Sequence, residues 1–120
     1  MKKQRKKEEG RLTCRGLVWI SRGESAFLGY GRVILLERIK EYGSITLAAK
    51  SMEMSYKHAW DLVDSMNKQA DNPLVEKVTG GKGGGGARLT ETGDKAIEIY
   101  WTFHKDLENF LKEEERKLKL

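Results

Sequence analysis

Apolar and polar positions between Ser44 and Asn67 follow two short helical rhythms separated by a break too brief for a strand. Ile45, Leu47, Ala48, Ala49 and Met52 form a face of mostly small residues that lets one helix lie close against another, and Ser44 precedes them as a cap. Ala59, Leu62, Val63 and Met66 then fall at i, i+3, i+4 and i+7, with Ser55 placed to cap the first free amides and Glu53 and Met54 left as the turn. Two helices closing so tightly predict a helix-turn-helix whose second helix, residues 55–67, is shaped to enter a DNA major groove.

The flanking patterns read as support for that unit. Residues 1–11 are strongly charged and lack an apolar rhythm, which predicts a basic, mobile tail ahead of one domain over 12–120. Leu12 to Ser21 turns to Val, Trp, Ile and Thr, and Arg22-Gly23-Glu24 breaks it before Ser25 to Leu28, predicting a strand, a turn and a second short strand. Val33, Ile34, Leu35, Leu36 and Ile39 place an apolar stripe on a helix from about Arg32 to Tyr42, closed by Gly43. After Asp71-Asn72-Pro73, the alternation of Leu74 to Val78 and the short run Ala87 to Leu89 predict a hairpin with a glycine tip. Thr90 and Thr92 are candidate caps for a long final helix, about 92–118. Its stripe of Ile97, Tyr100, Trp101, His104, Leu107 and Leu111, widened by Phe103 and Phe110, exceeds what a domain this small covers from within. Tyr100, Trp101, Phe103, Leu107, Phe110 and Leu111 are therefore the expected dimerisation surface. The competing expectation is that the first strand and the helix at Arg32 to Tyr42 cover the stripe within one protomer.

Composition narrows the class. With 120 residues, 38% hydrophobic and 34% charged, the chain makes one well-solvated domain with a single core. A net charge of +5 is compatible with an anionic partner without demanding one. The lone Cys14 excludes an intrachain disulfide and a multi-cysteine metal site, and two histidines are too few for a metal centre, so no cofactor is expected. No signal peptide or membrane span is legible, and a cytoplasmic protein with no membrane partner is the expectation.

Thr79 to Gly86 sets six glycines around Lys82. The G-x-G-x-x-G match inside such a run is nearly automatic, lacks the βαβ context of a dinucleotide site, and the G-x-x-x-x-G-K-[ST] phosphate pattern fails. Beside an inert linker stands the favoured reading, a wing: side-chain-free backbone approaches phosphates closely, and Lys77, Lys82 and Arg88 supply charge. On the second helix, Lys57, Asp61 and Asp64 lie opposite the core face, flanked by Tyr56 and Trp60. The amino-terminal end does most of the base reading, which favours Tyr56, Lys57, Trp60 and Asp61, although a tryptophan at the edge of an apolar stripe more often packs. Lys57 can donate to guanine or to a phosphate. Asp61 can accept from cytosine or orient Lys57 from i+4. No nucleophile or base partner accompanies Glu53, Asp61 and Asp64, so an enzyme is rejected.

These residues carry a family resemblance. GSITLAAKSMEMSYKHAWDLVDSMN from Gly43, with SYK-x-AW at Ser55 to Trp60, and GGKGGGGA-x-LT at Gly80 to Thr90 resemble the DNA-binding domain of the ModE family of molybdate-dependent transcriptional regulators. The strand around Leu17 to Ile20 and the entry Leu28-Gly29-x-Gly31-Arg32 are similar too, so the likeness spans roughly residues 12–111. It implies a mainly α winged helix-turn-helix with a small β component, a homodimer, and double-stranded DNA as partner. On the reading of the second helix given above, Ser55, Tyr56, Lys57, Trp60 and Asp61 are the expected DNA contacts, with the wing over 74–89 on the backbone. The resemblance is to a standalone form: the molybdate-binding domains of full-length members have no counterpart in this chain, so neither molybdate nor tungstate is supported as its effector and the effector is unknown. The alternatives are a winged-helix protein-protein interaction module and a non-specific DNA-binding protein.

Overall fold

The computed structural model describes residues 10–79 and 86–120. The tail expected over 1–11 falls largely outside them, as do the glycine tip and Lys82. The described elements are β1 (Ile20–Arg22), β2 (Ser25–Leu28), α1 (Tyr30–Tyr42), α2 (Ile45–Ser51), α3 (Tyr56–Gln69), β3 (Val75–Val78), β4 (Gly86–Leu89) and α4 (Glu91–Glu115). This is a winged helix-turn-helix, with three helices forming the core and two small antiparallel hairpins, β1-β2 and β3-β4.

The core follows the apolar rhythm. Val33, Leu35, Leu36 and Ile39 of α1 are all fully buried, each contributing about 1.5–3 kcal/mol through removal from water. They meet Ala48 and Ala49 of α2 and Ala59, Val63 and Met66 of α3. Alanines at the crossing let the backbones approach. The connections between the three helices are set by local chemistry. Gly43 ends α1 in the left-handed conformation at φ 67°, with its amide donating to the Ile39 carbonyl at 2.8 Å. Ser44 Oγ accepts from the Leu47 amide at 3.1 Å, and Ser55 Oγ accepts from the His58 amide at 3.0 Å, so both expected caps form. Between α2 and α3, Glu53 takes φ 55°, a left-handed turn residue that is uncommon outside glycine and asparagine. Arg38 Nη1 donates to Ser51 Oγ at 2.9 Å and Arg32 Nη1 to Ser65 Oγ at 3.1 Å, which tie α1 to α2 and α3.

Two boundaries differ from the pattern. The expected strand from Leu12 to Ser21 pairs only from Ile20 onward. β2 is four residues long, and residues 12–19 dock as an extended arm along α4 instead. The Tyr100 hydroxyl donates to the Val18 carbonyl at 3.1 Å, and the Cys14 amide donates to Glu115 Oε2 at 3.0 Å. Gly16 lies against Leu107 and Leu111. α1 begins at Tyr30 rather than Arg32, with the Gly29 carbonyl accepting from the Val33 amide at 3.0 Å, and Tyr30 packs edge-on against Trp101 of α4 with ring centroids 5.5 Å apart.

That arm and α1 cover part of the surface expected to dimerise. Tyr100 is fully buried within the protomer, Trp101 is half-buried with Nε1 donating to Glu37 Oε2 at 2.9 Å, and Leu107 and Leu111 are half-buried under Gly16. Phe103 and Phe110 remain exposed on another face of α4, together with Ile99. The single stripe of the sequence is thus two faces, one occupied by the arm and α1.

Candidate nucleic-acid interface

α3 presents its amino-terminal turns outward. Its core side, Ala59, Val63 and Met66 with the partly buried Leu62, fixes the rotation of the helix, and Tyr56, Lys57, His58, Trp60 and Asp61 in its first two turns are exposed. Tyr56 is 49% exposed and Trp60 37%, so Trp60 lies at the surface and not in the core toward which its residue type weighs it. Lys57 and Asp61, one turn apart, form an ion pair with Nζ 3.1 Å from Oδ2, their side chains 83% and 51% exposed. Ser55 is committed through its hydroxyl to the helix cap. Asp64 pairs with Lys68 at 2.9 Å further along the helix.

The β3-β4 hairpin stands beside this helix and is held there by backbone contacts. Val75 pairs with Leu89, Glu76 with Arg88, Lys77 with Ala87 and Val78 with Gly86. The Ala87 amide donates to the Gly43 carbonyl at 3.0 Å, and a Cβ on Gly86 would come within 2.8 Å of that same oxygen. Glycine at position 86 is therefore required for the hairpin to seat against the start of the helix-turn-helix. Asn67, in the last turn of α3, holds the other end. Its Oδ1 accepts from the Leu74 and Val75 amides at 2.8 and 3.2 Å, and its Nδ2 donates to the Val75 carbonyl at 2.9 Å. The charge and aromatic pattern did not point to Asn67; the available signal was a polar side chain with donor and acceptor just ahead of the Asp71-Asn72-Pro73 break.

Alternation along the strands divides the wing's charges between two faces. Lys77 shares the inward face with Val75 and lines a cleft of about 240 Å³ with Ser44, Ile45, Thr46, Tyr56, Thr79 and Gly86. Arg88 lies on the other face, where its Nε and Nη2 both reach Glu76 Oε1 at 2.7 Å. The structure therefore brings Lys77 and Tyr56 together and sets Arg88 apart from them, already paired. The Lys82 position lies outside the described residues.

Mixed charge, exposed aromatics and a helix face turned away from the core suit the edge of a nucleic-acid duplex. The pattern that defines the bacterial regulatory helix-turn-helix proteins of the lysR family matches residues 32–94, from α1 through the wing to the first turn of α4. The chain belongs to this family. Among individual proteins, it is 49% identical over 69 residues to the transcriptional regulator ModE of Yersinia pestis, which covers 58% of this chain and 26% of that one. It is 43% identical over 84 residues to ModE of Haemophilus influenzae, covering 70% of this chain and 33% of that one. Against the molybdenum-pterin-binding protein MopB of Rhodobacter capsulatus, identity is 41% over 113 residues, 94% of this chain and 41% of the relative. The chain thus spans about a quarter to two fifths of the length of these relatives. The family and the two ModE relatives are regulatory by name, and among the described residues no helix is long and apolar enough to cross a membrane.

Proposed function

We propose that this protein is a sequence-specific DNA-binding transcriptional regulator, acting as a cytoplasmic homodimer on a two-fold site. α3 enters the major groove of each half-site with Tyr56, Lys57, Trp60 and Asp61 toward the bases. Ser55 fixes the start of that helix, and Lys77 holds a phosphate across the cleft beside Tyr56. The observation that carries this reading is the outward amino-terminal face of α3, two exposed aromatics around an ion pair that the fold itself does not use. Aromatic and charged side chains together on the exposed amino-terminal end of such a helix suit base edges and phosphates.

Binding selection on random duplex DNA tests the reading. A recovered site with two inverted halves, bound at least ~10³-fold more tightly than scrambled duplex at physiological salt, is expected. Equal affinity for all sequences would reduce the protein to a non-specific DNA binder.

A further inference from the structure

Lys57 and Asp61 stand on successive turns of the exposed face of α3, with Nζ 3.1 Å from Oδ2 and 3.4 Å from Oδ1. Among the described residues neither side chain makes another hydrogen bond or ion pair, so the pair is an uncommitted donor and acceptor held side by side. We propose that it reads one base pair as a unit and selects G·C in one orientation, with guanine under Lys57 and cytosine under Asp61. The proposal rests on the reading that α3 enters the major groove.

The ion pair and a base pair match in spacing. In the major groove a G·C pair shows the acceptors O6 and N7 on guanine and the N4 amino donor on cytosine. O6 and N4 are hydrogen-bonded to each other and so lie about 3 Å apart. This is the spacing the ion pair holds between its own donor and acceptor. The ammonium donates to O6 and N7, and the carboxylate accepts the N4 hydrogen that base pairing leaves free. Inverting the pair to C·G sets the amino group against the ammonium and the carbonyl against the carboxylate, so both contacts turn repulsive. A T·A pair keeps the order of acceptor and donor but replaces N7 by the thymine methyl, so Lys57 loses one of two acceptors. The ranking is G·C, then T·A, then the two inverted pairs.

Charge balance supports a role in selection over affinity. A bare carboxylate facing DNA is repelled by phosphate, and Lys57 neutralises it, so the pair as a whole adds nothing to counterion release. Lys77, in contrast, carries no ion-pair partner among the described residues.

The test is binding selection with the full chain and with the double variant Lys57→Glu, Asp61→Lys. The expected result is one position fixed as G·C for the wild type, with inversion costing roughly 5- to 150-fold. In the double variant that position changes to C·G and the rest of the site is unchanged. 7-Deazaguanine at that position should bring wild-type affinity down toward that for T·A, a measurement that does not depend on the variant folding. A site left unchanged by the charge swap, uniform weakening on all sequences, or indifference to 7-deazaguanine would each overturn the proposal while leaving DNA binding intact. A wild-type protein that binds no duplex overturns the proposed function and this inference together.

Discussion

Asn67 Oδ1 accepts from the Leu74 amide at 2.8 Å, so the last turn of the recognition helix is bonded to the first residue of the wing. With its two contacts to Val75, this one side chain satisfies three backbone groups across the turn at 70–73. Asn67→Ala leaves two amides and a carbonyl without partners in a half-buried place, which costs roughly 1–3 kcal/mol. Thermal melting should show that loss. DNA binding should also lose part of the wing's share of its salt dependence, because the hairpin then loses its hydrogen bonds to α3 and keeps the one from Ala87 to Gly43 and its core packing. A variant as stable as wild type would show that the turn holds itself.

The two faces of the wing predict different behaviour for its cations. Lys77→Ala should lower the slope of log affinity against log salt by ~0.9, the value for one phosphate contact. Arg88→Ala should leave the slope unchanged, since its guanidinium is paired with Glu76 on the far face. Titrations at several salt concentrations measure both, and a larger effect from Arg88 would mean that the hairpin meets DNA with its other side.

Tyr100→Phe removes the hydroxyl that donates to the Val18 carbonyl and should destabilise the fold by about 1 kcal/mol. Proteolysis at Arg15 should accelerate as the arm loosens. Burial, and then the neighbouring Tyr30, push the Tyr100 phenol above its ordinary value of 10.0. The folded state therefore holds this proton more firmly than the unfolded chain. That stabilisation is complete below pH 10.0 and is lost as pH rises through the higher folded-state value. Denaturant melts on either side of pH 10.0 should show a smaller alkaline loss in the Phe variant than in wild type.

Much of this architecture is legible in the sequence because its determinants are local. Ser44, Ser55 and Gly43 act within a turn of where they stand, and the Ala59/Val63/Met66 rhythm fixes which side of α3 faces out. Relationships that depend on distant segments were not legible. The residues before Ile20 have strand composition, yet a β2 of four residues offers them no partner, and α4 takes them instead. An apolar stripe does not name its occupant, so the arm residues that pack on Tyr100 and Leu107 were not legible in it. The separation of Lys77 from Arg88 needs the hairpin register as well as the charges.

Ile99, Phe103 and Phe110 lie on a face of α4 that neither α1 nor the arm covers, at 41%, 48% and 58% exposure. Spacings of four and seven residues place them on one side of the helix, and large aromatics left in water at that spacing are unfavourable for a monomer. On the docked arm, Leu17 and Trp19 are 54% and 64% exposed as well. A second copy packing on this face of α4 across a two-fold axis is the expected occupant, since a two-fold site with half-sites one helical turn, ~34 Å, apart needs two α3 helices related by such an axis. Light scattering at micromolar concentration should give twice the chain mass of 13.7 kDa. Phe103→Glu with Phe110→Glu should return it to 13.7 kDa with an unchanged circular dichroism spectrum, because neither ring belongs to the core. Leu107→Glu, in contrast, should disturb the fold by driving a charge under Gly16, so it is the wrong probe for assembly. A wild-type protein of single-chain mass at that concentration would rule out the dimer, and with it a two-fold operator.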